Sequence, residues 1–290
     1  MLSKQKQSTR IDASAESLVV DALRLTPDGS LRLEESVAIE APVEIIVRWT
    51  DAEGSKRERS AGLLLATPTH LDDLARGFLI CEGVADRLWD VVVQPPKEMN
   101  QLTTHRVVVT APNDWANETA LSERTTAISS CGFCGRLNPH RTPSFSVKPP
   151  LKNFSIIGRD QISAMVEYAS SQQTLFAATG GTHAAALFDS SQQLLCLRED
   201  VGRHNALDKA IGWAAAHKDL DQRALCLIMS SRLSYDIVQK ASAFGIAFIA
   251  AVGAPTSVAL RLADQNDITL VGFVRSGRAT IYSAPWRVLQ

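Results

Sequence analysis

The chain has 290 residues, 45% hydrophobic and 21% charged, enough to bury a full core in one large or two ordinary domains without cross-links. Thirty basic residues against 31 acidic ones leave a formal charge of -1, so the whole-molecule field offers no attraction to nucleic acid or to an anionic membrane. Any anionic ligand must be held by a local site.

Residues 1–16, "MLSKQKQSTRIDASAE", are polar, lack the apolar core of a secretory signal and read as a disordered leader. From 17 to 111 the apolar residues come in short β-rich runs, "VAIEAPVEIIV", "GLLLAT", "WDVVVQ" and "HRVVVTA", broken by turn-like "DAEGS" and "QPPKEMNQ". One helix interrupts them. In "HLDDLARGFLICEGV", Leu71, Leu74, Ala75 and Phe78 fall at helical spacing, with acidic residues in the first turn and Gly83 near the end. This stretch reads as a small β-rich α+β domain. Residues 112–150 are dominated by Pro, Gly, Asn, Ser and Thr without a sustained period, and read as a long flexible loop.

Residues 151–290 alternate helix and strand. "DQISAMVEYAS" reads as a helix, and "TLFAAT", "AAALFD" and "LLCLRE" as strands. Asn205 is placed to cap "ALDKAIGWAAAHK", with Asp208 in its first turn to complement the helix dipole. "ALCLIMS" is the next strand; Ser234 caps "YDIVQKASAF", Gly245 stops it, and "IAFIAAV" runs as a strand buried on both faces. A short helix, "PTSVALRLADQ", precedes a last strand, "ITLVGFV", which ends in "RSGR". The pattern is that of a layered α/β domain with helices on both sides of a sheet. The longest apolar run, "IAFIAAV", is far shorter than the ~20 residues that cross a bilayer, so the protein is expected to be soluble and cytoplasmic.

Of five cysteines, Cys81, Cys196 and Cys226 sit singly in apolar stretches and read as buried, inert thiols. Cys131 and Cys134 form a CxxC pair in the long loop, within "ISSCGFCGR". A structural zinc site needs four ligands, and the pair with His140 supplies three, so no structural metal is expected. A thioredoxin-like dithiol belongs at a helix start after a buried strand, whereas here the flanks are "ERTTAIS" and "GRLNPHRTP". Deaminase chemistry needs a glutamate two residues after a histidine, and His183 is followed by "AAALFD". A nucleophilic thiol on a mobile loop fits better. Gly132 and Gly135 allow close backbone approach, Arg124 and Arg136 favour thiolate, and Cys134 is placed to assist release of a carried sulfur by exchange through a disulfide.

Three further stretches are candidate ligand surfaces. Gly180, Gly181, Thr182 and His183 form a glycine turn between two expected strands, its amides able to face an anion. "REDVGRHNALDK" places Arg203 and His204 before an expected helix start, a natural anion site, although a solvated charged loop is the ordinary explanation of such a run. At the carboxyl end of the last strand, Phe273, Val274, Arg275, Ser276, Gly277 and Arg278 offer two guanidinium groups and exposed amides suited to a phosphate or pyrophosphate.

Taken together, "ATPTHLDDLARGFLICEGV", "SSCGFCGR", "GGTHAAALFD", "REDVGRHNALDKAIG", "SSRLSYDIVQKASAFGI", "APTSVALRLA" and "LVGFVRSGRATIY" resemble the FdhD family, the formate dehydrogenase accessory sulfurtransferases. The resemblance spans about Leu18 to Tyr282. It implies a sulfurtransferase that takes sulfur from a cysteine desulfurase as a persulfide and passes it to molybdenum bis(molybdopterin guanine dinucleotide), required for activity of the client formate dehydrogenase. By position it implies that Cys131 bears the persulfide, that Cys134 is its companion, and that "FVRSGR" contacts the cofactor. It also implies a homodimer, and a C-terminal domain similar to the cytidine-deaminase fold without its zinc site. The alternative left open is a cofactor-binding chaperone whose CxxC senses redox state or binds zinc.

Overall fold

A computed structural model describes residues 16–85, 89–94, 104–113, 115, 121 and 156–289. The chain opens with a two-stranded ribbon, β1 (Ser17–Thr26) and β2 (Gly29–Ala38), joined by Pro27 and Asp28. The turn signature "TPDG" between two alternating runs announces this ribbon, which the reading of the sequence left unassigned. A four-stranded sheet follows, built from β3 (Ala41–Thr50), β4 (Lys56–Ala66), β5 (Asp90–Gln94) and β6 (His105–Thr110) in the order β4-β3-β6-β5. Val43, Ile45, Val47 and Trp49 alternate onto one face of β3, and helix α1 (Leu71–Cys81) covers them with Leu71, Leu74, Ala75 and Phe78. Each such buried aliphatic or aromatic side chain contributes about 1.5–3 kcal/mol. Trp115 meets Trp49 and Trp89 edge-on, with centroids 5.6 and 5.3 Å away, and its Nε1 donates to the Val84 carbonyl.

The second sheet has six strands in the order β13-β12-β11-β10-β8-β9: β8 (His183–Phe188), β9 (Leu194–Asp200), β10 (Cys226–Met229), β11 (Phe248–Ala251), β12 (Thr269–Arg275) and β13 (Arg278–Ser283). A short parallel pair, β7 (Ile157–Gly158) with β14 (Val288–Leu289), closes the chain. Helix α2 (Arg159–Ser171) packs Ile162, Met165, Val166 and Ala169 on one face of the sheet, against Phe188, Ile228 and Ala250. Helices α4 (Arg203–Ala216), α5 (Tyr235–Phe244) and α6 (Ser257–Gln265) cover the other face, against Leu187, Leu227, Met229 and Ile249. Neighbouring strand residues divide between the two cores, as period two requires. The mixed α/β class with helices on both sides agrees with the sequence pattern.

Three local expectations are corrected. "TLFAAT" is not a strand but helix α3 (Thr174–Thr179), whose first amides, Leu175 N and Phe176 N, donate to the Glu199 carboxylate on β9 at 2.9 and 2.7 Å. A cap supplied from a distant strand leaves no local signal. Gly180 and Gly181 therefore join a helix to β8, Gly180 ending α3 at φ 65. Asn205 does not cap α4: Gly202 holds that position, and Asn205 donates from inside the helix to the Leu65 carbonyl and to Asp200. Asp208 does not serve the dipole at the helix start either, because it is buried and paired with Lys240 of α5.

Those last contacts belong to a junction between the two sheets. α1 crosses α4 at Gly77 and Gly212, where an added Cβ would lie 1.8 Å from the Asp208 carbonyl oxygen and 1.9 Å from that of Asp73. Only glycine permits this approach. Around the crossing, Lys209 reaches Asp200 at 2.7 Å and the Thr67 carbonyl at 3.0 Å, and Arg198 makes two hydrogen bonds to Asp73. Lys240 bonds both oxygens of Asp208 at 2.8 Å and Glu82 at 3.3 Å. Most charges of "REDVGRHNALDK" are thus paired within the protein rather than solvated in a loop. Most of α4 is buried, so its charges must be paired within the protein.

Candidate functional site

Strands β9, β10, β11 and β12 run in one direction, since β10, β11 and β12 are parallel and β8 is antiparallel to both β9 and β10. Their carboxyl ends share one rim with the start of β8 and of β13. Helices α4, α5 and α6 begin there, from the connections after β9, β10 and β11. Open α/β sheets bind ligands at such a rim, where helix N-termini present unpaired amides and partial positive charge.

The connections are tightly fitted. Ala184 N donates to Ser230 Oγ at 2.8 Å, and Ser230 Oγ lies 3.5 Å from His183 Nδ1. An added Cβ on Gly253 would fall 2.8 Å from Arg232 Cα and from the Ser231 carbonyl oxygen, so the segments after β10 and β11 touch backbone to backbone. Phe273 N donates to the Gly253 carbonyl at 3.1 Å. Phe273 itself stands at φ 53 and is 39% exposed, where the β12–β13 register shifts between Gly272 and Arg275. That irregularity turns an aromatic ring out of the sheet beside the hairpin turn of Ser276 and Gly277. Arg275 and Arg278 pair across this turn, both exposed, and Arg275 Nη1 reaches the Val252 carbonyl at 3.5 Å.

Of the sequence candidates, Gly181, His183, Arg203, Phe273, Arg275, Ser276, Gly277 and Arg278 come to this rim. Three others turn inward. Thr182 is buried and donates its hydroxyl to Glu199 at 3.0 Å. Val274 fills the core under α2, and His204 is buried with its Nε2 3.8 Å from Asp236. Their side chains support the rim from within. Arg203 and the Arg275 turn stand at strands separated by four steps, about 19 Å at the usual strand spacing, so the rim residues are spread along the sheet rather than gathered at one point. Sequence reading missed Ser230, Arg232 and Gly253. Their signal was present as small or polar residues between an apolar strand and a helix start, in "SSRLS" and "VGAPT".

Burial holds the His183 imidazole below its ordinary pKa, and nearby Arg203 adds to the effect. His183 is therefore neutral at pH 7, with Ser230 Oγ beside its Nδ1. Beside Glu199, a cavity of about 260 Å³ opens between Thr69–His70 and Gln172–Leu175. Cys81, Cys196 and Cys226 are buried. Burial drives the Cys81 thiol well up and those of Cys196 and Cys226 to about 12, so none is a nucleophile at neutral pH. Cys131 and Cys134, with Arg124, Arg136 and His140, lie outside the described residues. Among the described residues no cluster of His, Cys, Asp and Glu has the arrangement of a metal site, and no helix is long and apolar enough to cross a membrane.

Comparison with known proteins adds to this geometry. The family model of FdhD/NarQ matches residues 38–289. A protein of Mycobacterium tuberculosis named sulfur carrier protein FdhD is 34% identical over 272 residues, covering 91% of this chain and 95% of its own. One of the same name from Bordetella parapertussis is 40% identical over 233 residues, covering 79% and 82%. A crystal structure of a candidate formate dehydrogenase accessory protein from Desulfotalea psychrophila superposes with TM-score 0.72 at 25% identity, covering 95% of this chain and all of that one. With a family match over most of its length and relatives this similar, the chain belongs to the FdhD/NarQ family.

Proposed function

We propose that the protein is a sulfur carrier that serves formate dehydrogenase, taking sulfur from a cysteine desulfurase and passing it to molybdenum bis(molybdopterin guanine dinucleotide) as bound substrate. The observation that carries this reading is the basic rim at the carboxyl ends of the parallel strands. Four guanidinium-bearing residues, Arg203, Arg232, Arg275 and Arg278, and three helix N-termini meet at one rim, which suits the phosphates of an elongated dinucleotide. The names of the relatives supply the sulfur. The buried state of the other three cysteines leaves Cys131 and Cys134 to carry it.

The chemistry closes with these two thiols. Cys131 thiolate attacks the terminal sulfur of the donor persulfide, the donor S–S bond breaks, and the donor leaves as a thiolate. For delivery, Cys134 thiolate attacks the Cys131 sulfur and forms a Cys131–Cys134 disulfide, while the terminal sulfur departs as sulfide with the electron pair of the broken bond. A thiol reductant reopens the disulfide, which places the cycle in a reducing compartment, the cytoplasm. The layered sheet as a relative of the cytidine-deaminase fold is part of the same proposal. The hairpin β8–β9 preceding three parallel, helix-linked strands supports it.

The test is to incubate the protein with a cysteine desulfurase and cysteine, digest with trypsin, and fragment the peptide Thr125 to Arg136 by mass spectrometry. One added sulfur on Cys131, absent in Cys131→Ala, is expected. An unmodified peptide beside a demonstrably active donor overturns the carrier reading in favour of a chaperone with a redox or zinc CxxC. Binding of guanosine diphosphate tests the basic rim separately, and Arg275→Ala is expected to weaken it by roughly tenfold, the scale of one charge-assisted hydrogen bond.

A further inference from the structure

Ser230 closes the β8–β10 ladder with its side chain. Its amide donates to the Ala184 carbonyl at 3.0 Å, but the Ala184 amide donates to Ser230 Oγ at 2.8 Å rather than to a carbonyl. That bond holds the hydroxyl beside β8, within 3.5 Å of His183 Nδ1. The imidazole is neutral at pH 7, so it carries one proton, on Nδ1 or on Nε2. A proton on Nδ1 would give Ser230 Oγ a second incoming N–H and leave the hydroxyl hydrogen without an acceptor among the described residues. A proton on Nε2 frees the Nδ1 lone pair to accept the hydroxyl, and both groups are matched.

We propose that Ser230 is a positioning residue, which fixes His183 in the tautomer protonated on Nε2 and so sets a neutral N–H donor beside Arg203 for a phosphate oxygen of the ligand. The inference rests on the reading of the rim as a phosphate site. His183 opens β8 and pairs with Asp200 of β9, and Arg203 starts α4 three residues after Asp200. Both side chains are half-buried. Among the described residues, neither His183 Nε2 nor the Arg203 guanidinium has a hydrogen-bond or ion-pair partner. Two donors and no acceptor suit an anion and give nothing to an ammonium group. The pair is also held from the β9 side. Thr182, just before His183, is tied to Glu199 at 3.0 Å, and Asp200 is fully buried.

Nitrogen-15 NMR of the imidazoles in the full chain at about pH 7.5 reads the tautomer, with the His183 signals assigned by their loss in His183→Gln. A protonated Nε2 and a bare Nδ1 are expected in wild type and in Ser230→Thr, which keeps the hydroxyl, and a mixture of tautomers in Ser230→Ala. Calorimetry with inorganic pyrophosphate reads the consequence. Ser230→Ala and His183→Ala are each expected to weaken binding about tenfold and Ser230→Thr less than about threefold, while the Ser230→Ala/His183→Ala double variant binds no worse than His183→Ala alone. A Ser230 that served only the fold would weaken binding in both backgrounds, and thermal melting checks that the variants stay folded. Pyrophosphate binding with the wild-type proton on Nδ1, or a Ser230→Ala loss that persists when His183 is already alanine, overturns the proposal alone. No pyrophosphate binding by wild type overturns the phosphate reading of the rim and the proposal with it.

Discussion

At the scale of single residues, the junction charges matter most, because they are buried where water cannot substitute for a lost partner. Lys240 sits between Asp208 and Glu82, and the attraction of these two carboxylates, overcoming burial, holds its ammonium above the ordinary lysine pKa. Lys240→Ala would strand both acids and is expected to cost about 3–5 kcal/mol in urea unfolding, whereas Lys240→Met with Asp208→Asn should cost less. His105 allows a cleaner titration, since burial alone lowers its pKa from 6.5. As pH falls below 6.5, the unfolded chain takes up a proton at His105 that the folded chain refuses, so stability is lost on acidification and none is lost above that range. The drop in urea midpoint between about pH 7.5 and 5.5 should be smaller in His105→Gln than in wild type, and an equal drop would contradict the assignment.

Among elements, the decisive contact is the crossing of α1 and α4. Gly77→Ala or Gly212→Ala would drive a methyl into backbone rather than into a movable side chain, so the helices must separate. Each is expected to lose about 3 kcal/mol or more in denaturant unfolding, at the upper end for overpacking. Much of the secondary structure was legible because its signal is local. α1 showed its apolar period and the strands their β-rich runs, while Gly245 ended α5 in the left-handed conformation, φ 100. α3 was not legible. Its six residues fit a short strand equally well, and the acceptor that caps it is Glu199, on a strand formed later in the chain. The β1–β2 ribbon was legible in principle through "TPDG", but its exposed leucines do not announce a core.

For the whole molecule, the junction couples the two sheets, and the expected division at 111 and 151 becomes a question of cooperativity. Trp49, Trp89 and Trp115 report on the first sheet and Trp213 and Trp286 on the second. In Trp213→Phe/Trp286→Phe, fluorescence follows only the first sheet, and its urea midpoint is expected to coincide with that of far-ultraviolet circular dichroism. Separate midpoints would show that the sheets unfold independently despite Lys209, Arg198 and the glycine crossing.

By itself the sequence determined the spacing of the pair Cys131 and Cys134, the alternation that yields a layered α/β sheet, and the arginine turn at Arg275 and Arg278. These rest on residue type and short spacing, which need no partner from elsewhere in the chain. Only the tertiary structure decided what the charges of "REDVGRHNALDK" do, because burial and pairing depend on Thr67, Asp73 and Glu82, more than a hundred residues away along the chain from their partners. It likewise brought Gly181, Arg203, Arg232 and Arg275 to one rim, since strand order rather than sequence separation sets which connections are neighbours.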